Sequence, residues 1–203
     1  MLGPTLREVD TDVDLLRRLR EGDEQAFAEL VSRYQQPMLR LARSLVPSQA
    51  VAEEAVQDTW MGVVRGIERF EGRSSLKTWL FRILANRARS AGAAEQRQLP
   101  AETRAVDAAY FAASGEWATP VQPWIEEVEE RLDAQAQSGL LKAALGELPP
   151  RQRQVVLLHD VEGLSSDEVC AVLGISAGNQ RILLHRGRHH LRDALDAVMR
   201  ARS

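Results

Sequence analysis

Basic side chains recur on one side of a predicted helix near the C-terminus. Residues 177–192 contain four arginines, three histidines and no acidic residue. The basic set has helical spacing and comprises Arg181, His185, Arg188 and Arg192, with Arg186 beside it. An arginine guanidinium can donate two parallel hydrogen bonds to a guanine edge or a phosphate, so this face suits the major groove of duplex DNA. A solvated face on an ordinary surface helix is the alternative interpretation, because charge stripes are common.

A second polar face is predicted on a helix over residues 75–90. Trp79, Arg82, Asn86 and Arg89 share one side of this helix, while leucines on another side point to a core. An aromatic ring, two arginines and an amide offer stacking, phosphate neutralisation and base-edge hydrogen bonds, which unstacked single strands require. The alternative is a tryptophan that belongs to the core beside solvated arginines. These residues alone favour neither interpretation.

The basic C-terminal helix is predicted to be the second helix of a helix-turn-helix. A proline pair at 149–150 opens a preceding helix, which Gly163 ends. Ser165 and Glu168 have the spacing of a capping box, which predicts a short helix over 166–173. A tight turn follows at Gly174, and the next helix, over about 177–198, has inward positions at Leu184, Gly187, Leu191, Leu195 and Val198.

The N-terminal half is predicted to contain four helices. A short helix over 12–20 ends at Gly22, and Asp23 caps the second helix. Pro37 lies inside that second helix and is expected to kink or divide it. A third helix runs to about Phe70 and precedes the helix with the second polar face. No stretch of the sequence alternates with a period of two, so the prediction is an all-α fold.

Charge is segregated along the chain, although the total is only −3. Residues 65–97 carry 8 basic and 3 acidic groups, and residues 149–203 carry 8 basic and 6 acidic groups. Residues 100–148 carry 3 basic and 9 acidic groups, a net charge of −6. Two modules with basic faces therefore flank a connector, predicted as a flexible acidic linker over 93–137, with a helix expected over 124–146.

Several functional classes find no support in the sequence. The absence of a secretory segment or a membrane-length apolar run, together with the single Cys170, favours a cytoplasmic protein without membrane insertion. His185 and His189 have the spacing of a zinc pair, but no glutamate lies between them and their neighbours are arginines. The acidic run 126–130 lacks the Glu-x-x-His pattern of di-iron sites. No phosphate-binding glycine loop occurs, so neither an enzyme nor a metal or cofactor is expected.

Three motifs in order along the chain resemble the extracytoplasmic-function (ECF) group of the bacterial sigma-70 family. They read GDEQAFAELVSRYQQPM, AEEAVQDTWMGVVRGIERFEGRSSLKTWLFRILANRARS and LGELPPRQRQVVLLHDVEGLSSDEVCAVLGIS. The resemblance covers about 12–92 and 138–196. It implies an all-α fold in which a sigma region 2 domain, 1–92, is joined by the linker 93–137 to a region 4 helix-turn-helix domain, 138–203.

The resemblance implies an alternative sigma factor that directs promoter recognition, strand opening and transcription initiation. The partners it implies are core RNA polymerase (the β′ clamp and the β flap), promoter DNA and an anti-sigma factor. The AEEAVQDTW helix would dock on the polymerase through Glu54, Gln57, Asp58 and Trp60. The −10 element would be bound by a larger set: Phe70, Gly72, Arg73, Ser74, Ser75, Lys77, Trp79, Arg82, Asn86 and Arg89.

The −35 element would be read by the second helix of the helix-turn-helix. The residues implied are Asn179, Arg181, Ile182, His185, Arg186 and Arg188. This helix departs from the family pattern, because Gln180 stands where a buried valine is common and Ile182 and Leu183 replace polar residues. Ile182 is expected either to contact a thymine methyl group or to pack.

Two other functions remain open at this point. A stand-alone transcriptional regulator would use the helix-turn-helix without polymerase, and its N-terminal module would sense a ligand or dimerise. An interaction protein without a DNA role is the third possibility, which the acid-free recognition helix disfavours. The combination of Trp79, Arg82 and Asn86 with the Gln57-Asp58 helix favours the sigma factor, since a ligand sensor needs neither. For the sigma factor, the acidic segment 100–135 is expected to mimic nucleic acid in the polymerase cleft.

Overall fold

The computed structural model describes residues 6–98, 141 and 143–202, and every regular element in these ranges is helical. The helices are α1 Leu6–Arg20, α2 Glu24–Leu45, α3 Gln49–Gly66, α4 Leu76–Gln98, α5 Pro150–Val156, α6 Ser166–Leu173 and α7 Ala177–Arg202. A 3₁₀ turn, Ile67–Arg69, follows α3, and a π-helical turn, Leu157–Val161, follows α5. Residues 143–147 are also helical. The predicted all-α fold is confirmed.

Local sequence signals start α2 and α6, and end α6, at the predicted residues. The Asp23 carboxylate accepts hydrogen bonds from the backbone N–H groups of Gln25 and Ala26 at 2.8 and 3.2 Å, so it caps α2. Ser165 and Glu168 form a complete capping box at the start of α6. Gly174 ends α6 with a φ of 68°, in the left-handed region that glycine tolerates best.

Pro37 does not divide α2, which was one of the two outcomes predicted for it; the other, a kink, stays a prediction. The helix is continuous from Glu24 to Leu45. A proline inside a helix costs about 3 kcal/mol, because it removes a hydrogen bond and crowds the preceding turn. Tyr34, Met38 and Leu41 are buried on both sides of Pro37. Their combined burial is large enough to offset that cost, at roughly 1.5 to 3 kcal/mol for each fully buried large apolar side chain.

Helix boundaries depart from the prediction at both ends of the N-terminal module. α1 begins at Leu6 rather than near 12, and α4 continues to Gln98 rather than ending near 90. The segment after Ser90 has no apolar stripe, but its alanines, glutamines and arginine are strong helix formers. The proposed mimicry by 100–135 and most of the expected helix over 124–146 lie outside the described residues.

The N-terminal module packs α1 to α4 around one apolar core. α3 lies against both α2 and α4 and connects the bundle. The largest fully buried side chains of this module are Leu15, Leu30, Met38, Leu41, Val56, Val63, Leu76, Leu80, Phe81 and Leu84. The prediction that leucines of α4 point to a core is confirmed at Leu76, Leu80 and Leu84.

The C-terminal module packs α7 across α5 and α6. Leu184, Leu191 and Leu195 are buried, as their spacing predicts. At Gly187, α7 approaches α5 so closely that an added Cβ atom would lie 2.7 Å from a methyl group of Val156. The two modules also touch each other, since α2 packs on α5 and α4 packs on α6.

Candidate nucleic-acid interface

The start of α7 presents an exposed polar and apolar surface. The Ser176 hydroxyl accepts a hydrogen bond from the backbone N–H of Asn179 at 3.3 Å and so supports the first turn. Arg181 and Arg186 are exposed, and Ile182 is 43% exposed. These positions follow the Gly174 turn directly, so the helix-turn-helix places them at its outer surface. Of the remaining predicted residues, Asn179 and His185 are half-buried.

Arg188 is half-buried beside this exposed surface and is held by an ion pair, and its contact with the −35 element stays a prediction. Its guanidinium donates from Nε to one Asp160 oxygen at 2.9 Å and from Nη2 to the other at 2.5 Å. Asp160 lies in the π-helical turn, and its side chain is only 6% exposed. The two parallel bonds anchor α7 to the π-helical turn that follows α5, so Arg188 helps to set the angle of the recognition helix.

The Asp160 carboxylate carries a charge that its surroundings stabilise. Burial disfavours that charge, but hydrogen bonds from Arg188 and His159, together with their positive charges, outweigh the burial. The pKa of Asp160 therefore lies below its ordinary value of 3.8. The His159 Nδ1 atom lies 2.9 Å from the same carboxylate. The sequence did not predict this pair, because the two residues are separated by 28 positions and no local motif contains either of them.

Gln180 occupies the core, as its position in the family pattern implied. Its side chain is fully buried, and within the described part of the chain neither amide atom has a hydrogen-bond partner. An unsatisfied buried amide costs about 1 to 3 kcal/mol. An apolar side chain of similar volume at position 180 would therefore avoid this free-energy cost.

The loop before α4 presents a run of small and charged residues. Gly72 has a φ of 71°, in the left-handed region, and turns the chain. Gly72, Arg73, Ser74 and Ser75 are all exposed. Arg73 forms an ion pair with Glu71, at 3.1 Å between Nε and the carboxylate. Four of the predicted −10 contacts thus lie together on an accessible loop.

Phe70 is buried beneath that loop, and its contact with the −10 element stays a prediction. Its side chain is 5% exposed, and its ring centroid lies 5.0 Å from that of Trp79. Its backbone carbonyl accepts a hydrogen bond from Arg20 Nη2 at 2.5 Å. Trp79 is half-buried and also packs on Gly66, where a Cβ atom would lie 3.5 Å from the ring. Phe70 supports the loop, and Trp79 belongs in part to the core.

The rest of the α4 face is divided between solvent and the C-terminal module. Arg82 and Asn86 are exposed on the helix surface. Arg89 is exposed too, but its Nη2 atom donates to the Val172 carbonyl at 2.7 Å. Lys77 donates to the backbone carbonyl of Glu162. Of these four residues of α4, Lys77 and Arg89 therefore contact the other module.

The middle of α3 exposes the residues predicted to bind polymerase. Glu54, Gln57 and Asp58 are exposed, and Asp58 lies 3.7 Å from Arg87. Carboxylates on a helix surface can pair with arginines of a partner helix and contribute to its orientation. These three side chains form one accessible polar patch.

Trp60, the fourth predicted polymerase contact, is largely structural. Its ring packs edge-on against Phe27, with centroids 5.8 Å apart, and its Nε1 donates to Gln35 Oε1 at 2.6 Å. Beyond it lie Met61 and Val64, 54% and 57% exposed. These apolar residues were missed, although their offset from the buried stripe of α3 was the available signal. Met61 and Val64 thus add an exposed apolar surface on α3 next to the polar patch.

Other site chemistry finds no support in the described ranges. No group of histidine, cysteine and acidic side chains there has the arrangement of a metal site. Burial raises the pKa of the Cys170 thiol, so the reactive thiolate form is disfavoured. No helix in the same ranges has the length and apolar composition needed to cross a bilayer.

Comparison with known proteins places both modules in one family. The Sigma-70 region 2 model matches residues 30–98, and the Sigma-70 region 4 model matches residues 138–191. The RNA polymerase sigma factor CarQ of Myxococcus xanthus is 33% identical over 89% of this chain and 95% of its own length. The ECF RNA polymerase sigma-E factor of Salmonella typhimurium is 28% identical over 94% of this chain and 97% of its own.

A solved structure has the same fold. The sigma factor RpoE of Bartonella quintana, crystallised with the anti-sigma factor NepR, superposes with a TM-score of 0.55 at 26% identity. The match covers 84% of this chain and 96% of that one. The chain therefore belongs to the sigma-70 family of transcription initiation factors. Within that family it is a member of the ECF group.

Proposed function

We propose that this protein acts as an alternative sigma factor that brings core RNA polymerase to promoters and opens the −10 element. The observation that supports this proposal most is that one chain, matched by two sigma-70 family models, has two exposed surfaces suited to different forms of DNA. One surface is a recognition helix with exposed arginines, and the other is an exposed loop followed by Arg82 and Asn86. The first suits a duplex, and the second suits separated strands.

In this proposal the start of α7 enters the major groove at the −35 element. Arg181 and Arg186 supply forks for guanine edges or phosphates, and Ile182 faces a thymine methyl group. Asn179 and His185 contribute from the edge of the same surface. Arg188 acts indirectly, because its bonds to Asp160 hold the helix at its docking angle.

The −10 element is bound by the loop and by α4. A base that leaves the stack is received at the loop of Gly72, Arg73, Ser74 and Ser75, above the buried Phe70. Unstacking a base costs a few kcal/mol, which contacts to the base and to the strand must offset. The neighbouring part of α4 supplies those contacts through Lys77, Trp79, Arg82, Asn86 and Arg89.

Core polymerase binds the patch on α3. The polar residues Glu54, Gln57 and Asp58 orient the docking, and Met61 and Val64 add apolar contact area beside them. The β′ clamp is the partner proposed for this patch, and the β flap is the partner proposed for the C-terminal module. Such assembly takes place in the cytoplasm. An anti-sigma factor is proposed to control it, as the anti-sigma complex of the Bartonella relative suggests.

Binding to core polymerase tests this function against that of a stand-alone regulator. The full chain is mixed with purified bacterial core polymerase and analysed by gel filtration. The native protein should co-elute with the polymerase, and Asp58→Arg should not, because it reverses the charge of the exposed patch. Glu24→Arg is the matched control, since it makes the same charge change at an exposed position on α2. Loss of co-elution in both variants, or in neither, would contradict the role of α3.

A further inference from the structure

The last turn of α1 lies against the chain that leads into the exposed loop before α4. Arg20 is exposed on this turn, and its Nη2 atom donates to the Phe70 carbonyl at 2.5 Å, across 50 positions of sequence. α1 also packs on the 3₁₀ turn Ile67–Arg69. Leu15 and Leu19 are buried in the core and hold α1 in place. Arg20 therefore reaches the start of the loop from a fixed helix.

The Phe70 carbonyl lies where the chain leaves the 3₁₀ turn. The backbone N–H of Phe70 donates to the Ile67 carbonyl at 3.2 Å, and the backbone at Phe70 is extended, with φ −69° and ψ 112°. The last carbonyls of a helical turn lack partners within that turn. A guanidinium is a charged donor, and hydrogen bonds from charged donors are about twice as strong as neutral ones. The Arg20 bond therefore fixes the point at which the loop begins.

The loop of residues 71–75 is short and is held at both ends. At its start is the Phe70 carbonyl, which Arg20 binds. At its end the Ser75 hydroxyl accepts a hydrogen bond from the Thr78 backbone N–H at 3.1 Å and so caps α4. Two fixed ends leave a short segment few conformations, so it has little conformational entropy left to lose. Without the Arg20 bond, one of the two ends would be free.

Contacts within the loop are too weak to set its conformation alone. Arg73 and Glu71 form an ion pair at 3.1 Å, but their side chains are 86% and 66% exposed. Exposed pairs of this kind contribute little to stability, because water screens their charges. Gly72 has a φ of 71°, and glycine has more backbone freedom than any other residue. The conformation of the loop therefore depends on its anchored ends, and Arg20 supplies one of them.

We propose that Arg20 is a positioning residue of the −10 site, which fixes the loop of residues 71–75 in the conformation that receives an unstacked base. A loop that is already ordered loses less conformational entropy when a base enters it. This difference matters because unstacking the base itself costs free energy. Arg20 precedes residue 30, where the family match begins, so the site includes a helix outside that match. The use of the loop in opening DNA rests on the proposed function, whereas its restraint by Arg20 does not.

Backbone mobility tests the restraint on the full-length chain without DNA or polymerase. Arg20→Ala removes the donor, and Arg20→Lys keeps a cationic donor at the same position. Arg17→Ala is the matched control, because Arg17 lies on the same helix and pairs only with Asp14 and Glu21 of α1 among the described ion pairs. ¹⁵N relaxation gives the order parameters of the amides of residues 71–75. They should fall from about 0.85 to below about 0.6 in Arg20→Ala and stay near the native value in Arg17→Ala.

The relaxation measurement also separates a restraint on the loop from general support of the fold. Arg20→Lys should remain closer to the native protein than Arg20→Ala, because a lysine can still donate to the carbonyl. The amides of α2 and α3 should keep their native order parameters in every variant. Equal loop mobility in Arg20→Ala and Arg17→Ala would overturn the restraint. A loss of order that includes α2 and α3 would also overturn it, because Arg20 would then support the whole module.

Base unstacking tests the role of the restraint in the holoenzyme. Each variant is combined with core polymerase and mixed with a promoter fragment that the native protein transcribes, in which 2-aminopurine replaces the adenines of the −10 element. The rise in fluorescence reports unstacking of the analogue. Arg20→Ala should unstack it about tenfold more slowly than Arg17→Ala, because the loop is no longer ordered beforehand. Arg20→Lys should recover part of the rate. Binding to a duplex that carries only the −35 element should not change, since α7 is proposed to make those contacts.

The outcomes distinguish this proposal from the proposed function. A mobile loop in Arg20→Ala with an unchanged unstacking rate would overturn the role of Arg20 in the −10 site. A parallel loss of −35 binding would overturn it as well, because the effect would then extend beyond the loop. A native holoenzyme that transcribes no fragment and unstacks no base would contradict the proposed function instead. The relaxation measurement would still decide whether Arg20 holds the loop.

Discussion

At the scale of single residues, the same chemistry serves different purposes on one helix. Arg186 and Arg188 are both basic residues of α7, separated by one position. Arg186 is exposed, whereas Arg188 is held by both oxygens of Asp160. The composition of the helix suggested that both read DNA. The two arginines differ because Asp160, in the π-helical turn before α6, lies within reach of Arg188. Arg188 is therefore a structural anchor, and Arg186 remains a candidate base contact.

The Asp160–Arg188 pair leads to a prediction about pH. Asp160→Asn should lower the stability of the full chain at pH 7 by about 2 kcal/mol, because Arg188 loses its charged acceptor in a partly buried site. The folded-state pKa of Asp160 is below 3.8, so its stabilising effect is present above pH 3.8 and is lost as pH falls through the folded value. Thermal unfolding followed by circular dichroism should show the two proteins converging in acid. A difference that persists unchanged at the lowest pH would contradict this account.

The buried amide of Gln180 leads to a second prediction. Gln180→Leu should raise the free energy of unfolding by about 1 to 2 kcal/mol, because it removes two unsatisfied polar atoms at similar volume. Gln152→Leu is the control, since the Gln152 Oε1 atom lies 2.8 Å from His190 Nδ1. The control should be neutral or destabilising. The free energies of unfolding are measured by chemical denaturation. An equal change in both variants would contradict this explanation.

At the scale of elements, the angle of the recognition helix depends on how closely α7 approaches α5. Gly187 permits that approach, because the added Cβ atom of any other residue would meet Val156. The Asp160–Arg188 pair follows on the next position of α7, beside the same contact. The close contact at Gly187 and the Asp160–Arg188 ion pair together restrain the orientation of α7, the helix proposed to enter the major groove.

Two glycine substitutions on α7 test this packing. Alanine is favoured over glycine in a helix by about 1 kcal/mol, but overpacking a tight contact costs about 1 to 3 kcal/mol. Gly187→Ala should therefore destabilise the protein by about 1 kcal/mol. Gly178→Ala, which meets no atom within 4 Å, should be neutral or mildly stabilising. Equal stabilisation of both variants, measured by chemical denaturation, would show that α7 and α5 have room to separate.

Elements governed by local rules were predictable from the sequence. The cap at Asp23, the capping box of Ser165 and Glu168, and the turn at Gly174 each depend on residues within four positions. Two features depart from local rules for different reasons: α2 stays undivided at Pro37, and α4 continues past its predicted end near 90. Burial around Pro37 outweighed a local penalty, and helix propensity extended α4 without an apolar stripe.

At the scale of the whole molecule, the candidate site was predictable only in part. The exposure of Arg82, Asn86 and the loop before α4 was predictable from their helical spacing and from the resemblance of the sequence to ECF sigma factors. The contacts that cover Lys77 and Arg89 join residues more than 80 positions apart, as does the bond from Thr78 to Glu168. No local pattern marks such contacts, because each depends on how two finished modules meet. The contact between the two modules was therefore visible only in the structure.

The central claim is that this chain directs transcription from particular promoters. The most direct measurement is run-off transcription with purified bacterial core polymerase on a library of promoter fragments, with and without the protein. The account predicts new transcripts only when the protein is present, from fragments that share −35-like and −10-like sequences. Arg186→Ala should reduce these transcripts while leaving core binding intact. A protein that neither yields transcripts nor binds core polymerase would contradict the account.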